Sequence, residues 1–209
     1  MNASGLVDNQ LPQIDTAHVI GNRGTELWRR TIPDLFEEKV ESFSEREATV
    51  FFEQDVRWTW SELDREVDAM AHGLLALGLT KGDRVGIWSP NRYEWIMTQF
   101  ATARLGLILV TINPAYRVTE VEYVLNKVAC KALVTATRFK SSDYIGMLQG
   151  LAPELADCAP GDLQASKLPS LRAVIRTGDE ETQGMIKFGT LVDGGRDCDP
   201  VALDAISQT

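Results

Sequence analysis

Arginine, lysine and tyrosine side chains near one another are the chemistry of phosphate and base recognition. This chain carries one such group. The segment Asn113-Pro114-Ala115-Tyr116-Arg117 follows one apolar run, and Arg138 and Lys140 follow the next. A guanidinium pairs with phosphate oxygens through parallel N–H bonds, and a tyrosine ring stacks on a base. Tyr116, Arg117, Arg138 and Lys140 are therefore the candidate ligand-binding residues. A tight proline turn flanked by solvated charges accounts for the same residues with no ligand, and both readings stand at this point.

Other reactive constellations are missing from these 209 residues. There is no Gly-x-Ser-x-Gly elbow, no His-Glu-x-x-His, no Cys-x-x-Cys and no Gly-x-Gly-x-x-Gly. The stretch from Gly73 through Gly78 to Lys81 is a near miss for a phosphate loop. Such a loop needs lysine directly after the second glycine, and Leu79 stands there. Its glycines read instead as the end of a helix. Cys130, Cys158 and Cys198 are too far from His18 and His72 for a zinc site of usual spacing. No catalytic residue and no metal ligand is assigned. His72 reads as a helix-surface residue and Trp88 and Trp95 as core fillers.

The elements that must position the candidates follow from periodicity. Thr31 caps a helix with Pro33 in its first turn, and the runs 48–52 and 57–59 form a short hairpin. Thr59 and Glu62 make a capping box. Leu63, Val67, Met70, Ala71, Leu74 and Leu75 then recur at helical spacing until Gly78. Strands at Arg84–Trp88, Leu107–Ile112, Ala132–Thr135 and Leu171–Arg176 alternate with helices after Pro90, at Thr119–Val128 and near Asp143–Leu151. The continuously apolar strands fit a mostly parallel sheet covered by helices on both faces, an α/β fold. Right-handed crossovers bring the loops 89–92, 113–119 and 136–142 to one sheet edge, where such folds bind ligands. Three segments are expected: a flexible leader over 1–24, an α/β body over 25–176, and an acidic, loosely ordered tail over 177–209. That tail has seven acids and two bases, so it holds −5 of the net −9 charge, although Phe188–Val192 has the spacing of a short helix.

Composition excludes several classes. With 44% hydrophobic and 24% charged residues the chain is neither disordered nor collagen-like. Its acidic balance and lack of a basic stripe argue against nucleic acid. The longest apolar runs, Leu74–Leu77 and Leu107–Val110, fall far short of the roughly 20 residues of a membrane helix. Three widely spaced cysteines read as free thiols. The first residues, with Asp8 and Asp15, resemble neither a secretory signal nor an arginine-rich transit peptide. A cytoplasmic location is the expectation.

Several motifs resemble those of the adenylate-forming, AMP-binding acyl-CoA synthetases. Trp58-Thr-Trp-Ser-Glu-Leu63 is similar to that family's first core motif, and Lys81-Gly-Asp-Arg-Val-Gly-Ile-Trp-Ser-Pro-Asn91 to the strand and turn after it. Ala103-Arg-Leu-Gly-Leu-Ile-Leu-Val-Thr-Ile-Asn-Pro114 resembles the second core motif. Asn113–Arg117, Glu122–Asn126, Cys130–Val134, Pro160–Leu163 and Lys167–Leu171 resemble the medium-chain fatty acyl-CoA ligase branch. The resemblance implies the N-terminal subdomain of a fatty acid–CoA ligase. Its parent would use ATP, Mg²⁺ and CoA to make an acyl-adenylate and then the thioester, with a fatty acid as substrate. It further implies that Tyr116 meets the CoA adenine and that Arg117, Arg138 and Lys140 meet its phosphates. The family's Ser/Thr/Gly-rich phosphate loop ending in Pro-Lys-Gly does not occur here and is expected beyond Thr209. The 209 residues are therefore expected to be catalytically inactive alone and to bind no cofactor tightly. The alternative is a naturally truncated CoA-binding or dimerisation module, and a homodimer is one expected state.

Overall fold

A computed structural model describes residues 21, 24 and 27–196. The chain divides into two units, Met1–Arg30 and Thr31–Thr209. The expected leader falls almost wholly outside the described residues, and residues 27–30 form neither helix nor strand.

From Thr31 the chain builds α1 (Ile32–Phe43), the hairpin β1 (Glu47–Phe51) and β2 (Val56–Thr59), and α2 (Trp60–Ala76). Both helices start where the caps predict. The Thr31 hydroxyl accepts from the Asp34 amide and the Asp34 carboxylate from the Thr31 amide. Thr59 and Glu62 exchange the same pair of bonds. Each box satisfies two amides that a helix start leaves open. Then follow β3 (Arg84–Trp88), α3 (Tyr93–Arg104), β4 (Ile108–Ile112), α4 (Val118–Lys127) and β5 (Ala132–Thr135). A miniature hairpin, β6 (Arg138–Phe139) and β7 (Ser142–Asp143), precedes α5 (Tyr144–Leu151). The described chain closes with β8 (Ala173–Arg176), β9 (Ile186–Lys187) and α6 (Phe188–Arg196). None of the described helices is long and apolar enough to cross a membrane.

β4-β3-β5-β8-β9 form one sheet in that order, every pair parallel. β3 is followed by β4 on one side and β5 on the other, so strand order reverses between β3 and β5. In open α/β sheets the ligand crevice lies beyond the carboxyl ends of strands at such a reversal. The register places Ile112, Trp88, Thr135 and Arg176 in one row. The loops that leave these four residues therefore share an edge.

Two cores flank the sheet. One joins Phe36 of α1, Leu63, Val67, Met70 and Leu74 of α2, and Met97 and Ala101 of α3 to Val85, Ile87, Val134 and Ile175. The other joins Val121 and Leu125 of α4 and Tyr144 and Leu148 of α5 to Trp88, Leu133 and Val174. Burying each large apolar side chain contributes about 1.5–3 kcal/mol. Cys130 lies in the second core, and burial pushes its thiol up to about 12, so it stays protonated and inert.

The acidic segment departs from expectation. Up to Arg196 it is part of the body. Ile186–Lys187 adds the outermost strand beside β8, and α6 buries Phe188, Leu191 and Val192. The carboxylates at 179–181 dominate the local composition, but the apolar spacing that follows decides the packing. Residues 197–209, with Cys198, lie outside the described residues. His72 also differs, being only 6% exposed. It borders the same groove as Gly195 and Arg196 of α6, an element whose packing the pattern of α2 does not reveal. Its Nδ1 sits 3.0 Å from the Asp68 carbonyl.

α2 and α6 approach at glycines. A Cβ on Gly195 would lie 1.9 Å from the Ala69 carbonyl oxygen, and one on Gly73 2.6 Å from that of Leu191. Gly195→Ala is expected to destabilise the protein by about 1–3 kcal/mol. The check is a lower urea midpoint at unchanged slope. A wild-type midpoint would mean that the helices do not meet at this distance.

Asp83, just before β3, accepts from the Thr80 amide at 2.9 Å and pairs with Lys131 at 2.8 Å. Burial alone would raise its pKa, but the bonds from Lys131 and Thr80 outweigh it and hold the carboxyl below its ordinary value. A carboxyl depressed on folding stabilises above its unfolded pKa and loses that contribution as pH falls through the folded value. Stability should therefore drop in acid below about pH 4. Asp83→Asn should be less stable at neutral pH and flatter in that window. An identical acid profile for the two proteins would remove Asp83 from this account.

Candidate functional site at the carboxyl edge of the sheet

Each loop on this edge is held by bonds made close to its strand. After β4, the Asn113 side chain accepts from the Ala115 amide at 2.9 Å, and the Asn113 carbonyl accepts from the Tyr116 amide at 3.0 Å. This turn leads into α4, where the Glu120 carboxylate accepts from the Arg117 amide at 3.1 Å. Tyr116 comes to rest half-buried against the second core, and the Arg117 side chain is exposed.

After β5, residues 138–143 fold back as the β6–β7 hairpin where the sequence shows only a loop. Lys140 occupies the turn at φ +51°, with Nζ 5.3 Å from the Phe139 ring. Arg138 and Lys140 are both exposed. Asp143 then caps α5 by accepting from the Gly146 amide at 3.1 Å.

Two cross-links join these loops. Arg117 donates to the hydroxyl of Ser142, a buried residue of β7. Tyr144, fully buried, donates its hydroxyl to the Pro114 carbonyl at 2.5 Å. Its ring stacks on Trp88 at 3.6 Å between centroids and 10° between planes. Burial pushes the Tyr144 phenol up to about 12, so it keeps its proton and remains a donor. Trp88 ends β3 at the strand-order reversal, so the cross-links stand over the crevice that topology predicts.

The other two loops are held independently. Beyond β3, Glu94 is 2% exposed, and Arg92 and the Gln54 amide both donate to it. Gln54 also accepts from the Tyr93 amide, tying the first hairpin to the start of α3. Beyond β8, buried Arg176 donates to the carbonyls of Thr177 and Glu180 and to the Thr182 hydroxyl.

The structure thus brings Arg117 onto the hairpin that carries Arg138 and Lys140, with Ser142 as the meeting point, and sets Tyr116 beside it in the chain. Sequence reasoning missed Ser142, Tyr144, Arg92 and Arg176. Tyr144 carried one usable signal, an aromatic directly after a cap residue. Its partners Trp88 and Pro114 lie far away in sequence, and nothing local announces them. Trp88 is buried, in accord with its reading as a core residue.

A five-stranded parallel sheet covered by helices, with charged loops at its carboxyl edge, defines an open-sheet α/β protein. The family model described as AMP-binding enzyme matches residues 36–192, and the chain belongs to that family. The mitochondrial medium-chain acyl-CoA ligase ACSF2 of Danio rerio is 43% identical over 191 residues, covering 90% of this chain and 31% of the relative. Its counterpart in Homo sapiens is 42% identical over 179 residues, covering 86% and 29%. The chain therefore spans about a third of the length of these curated relatives. Among solved structures, the N-terminal domain of FACL13 from Mycobacterium tuberculosis superposes with a TM-score of 0.62. It is 20% identical and covers 81% of this chain and 37% of that one, a likeness of fold.

These relatives overturn the cytoplasmic expectation, because both are mitochondrial proteins. Unpaired cysteines report a reducing environment, and a reducing environment does not single out one compartment.

Proposed function

We propose that this chain belongs to a fatty acid–CoA ligase acting on medium-chain acids, and that its carboxyl-edge loops hold the CoA nucleotide. In the proposed reaction the fatty acid carboxylate attacks the α-phosphate of ATP and releases pyrophosphate. The CoA thiol then attacks the acyl carbon of the adenylate and releases AMP. Identity of 43% to a medium-chain acyl-CoA ligase over most of the chain carries this reading.

The part assigned to these residues is binding and orientation. Arg117, Arg138 and Lys140 offer exposed cations for the CoA phosphates in a protein whose net charge is −9. Tyr116, half-buried and ring-bearing, supplies a surface for the adenine. The acyl-transfer step needs the thiol placed close to the adenylate, and anchoring the distant nucleotide contributes to that placement. Among the described residues no group of three or more His, Cys, Asp or Glu side chains is arranged for a metal ion. These residues therefore offer no Mg²⁺ site of their own among those described.

The loop that cradles ATP phosphates in this family does not occur in residues 1–209. The 209-residue chain alone is expected to show no fatty-acid-dependent ATP–pyrophosphate exchange, measured with radiolabelled pyrophosphate. Exchange by a pure sample would overturn the reading that these residues supply no phosphate cradle.

CoA should bind the chain weakly, in a salt-dependent way. Arg117→Ala is expected to raise the CoA dissociation constant about tenfold, the scale of one charge-assisted bond. Arg138→Ala and Lys140→Ala should have smaller effects that vanish at high salt. Titration calorimetry reads all three. Unchanged affinity across the set would remove the CoA assignment.

A further inference from the structure

We propose that Tyr144 is a positioning residue for the carboxyl-edge site: its hydroxyl ties the loop bearing Tyr116 and Arg117 to the hairpin bearing Arg138 and Lys140. The inference rests on the CoA reading of that edge and assigns a role to a residue that touches no ligand.

The hydroxyl and the ring of Tyr144 do separable work. The ring stacks flat on Trp88 and fills the second core among Leu148, Leu151 and Val174. A phenylalanine would do the same. Only the hydroxyl reaches Pro114, the second residue of the turn that presents Tyr116 and Arg117. Proline has no N–H, so its carbonyl is the sole backbone group through which this point of the turn can be held. The second tether, Arg117 to Ser142, joins the same two segments through other residues. Residues 113–117 and 142–144 are thus pinned to each other twice, across the end of β3.

Such pinning matters for binding because the four candidate residues come from two loops. Independent loops must both be ordered when a ligand bridges them, and that ordering subtracts from affinity. Loops already joined lose less. The role of the hydroxyl is therefore visible in ligand affinity and loop mobility more than in overall stability.

The test compares wild type, Tyr144→Phe, Arg117→Ala and the double variant, all as the full 209-residue chain. CoA is titrated by calorimetry, thermal unfolding is followed, and amide exchange is read at Ala115, Tyr116 and Arg117. Tyr144→Phe should lower the melting temperature by only about 2–4 °C. It should speed exchange at the three amides and weaken CoA about three- to tenfold. In the Arg117→Ala background it should cost little more, because both act through one loop. Ser142→Ala, which cuts the other tether and leaves the Trp88 stack alone, should weaken CoA similarly.

Unchanged exchange and affinity in Tyr144→Phe, with Arg117→Ala still weakening CoA, would overturn this inference and leave the CoA site standing. Additive losses in the double variant would reduce Tyr144 to a structural residue and overturn it as well. Wild-type binding that ignores Arg117→Ala would instead sink the CoA reading, and a wild type that binds no CoA would sink both.

Discussion

The burial of β3 on every side is the constraint from which the rest of the molecule follows. Arg84–Trp88 hydrogen-bonds to β4 on one edge and β5 on the other, and both faces are covered by helices. A strand so placed can carry almost no polar side chain. It can also tolerate little bulk where neighbours crowd it. Gly86 shows the limit: a Cβ there would approach Leu133 to 3.0 Å and the Cys130 sulfur to 3.2 Å. The parallel register inherited from β3 lines up the strand ends, and the strand ends carry every loop of the candidate site.

Trp88 is where this constraint meets the candidate site. As the last residue of β3 it belongs to the core, yet it lies at the point where strand order reverses. Its ring supports Tyr144, Tyr144 holds Pro114, and Arg117 holds Ser142. A rigid apolar stack thereby sets the position of exposed charges that make few contacts of their own. An edge built this way leaves its cations exposed while their backbone is held from below.

The electrostatics follow the same division. The chain is strongly acidic overall, and much of that charge falls from residue 177 onward, including residues outside the described body. Buried and half-buried charges are paired: Asp83 with Lys131, Glu94 with Arg92, and Arg104 with Asp64 and Asp68. Three exposed cations, Arg117, Arg138 and Lys140, lie on the loop and hairpin beyond β4 and β5.

Helix caps, the period of α2, the apolar strands and the parallel α/β class were all legible from sequence, because each rests on residues within a few positions of one another. Thr59 and Glu62 need only the intervening turn, and an apolar run declares its burial without knowing its neighbours. The family motifs were legible for the same reason. Tertiary structure alone decided that Tyr144 would stack on Trp88 and reach Pro114, that α6 would seal α2 through Gly73 and Gly195, and that the 138–143 loop would close as a hairpin on Arg117. These contacts join residues tens to more than a hundred positions apart, and their geometry depends on how the sheet is ordered, which no local pattern encodes. The residue types at the site are a property of the sequence. Their convergence is a property of the strand order, because only that order brings the ends of β4 and β5 to opposite sides of Trp88.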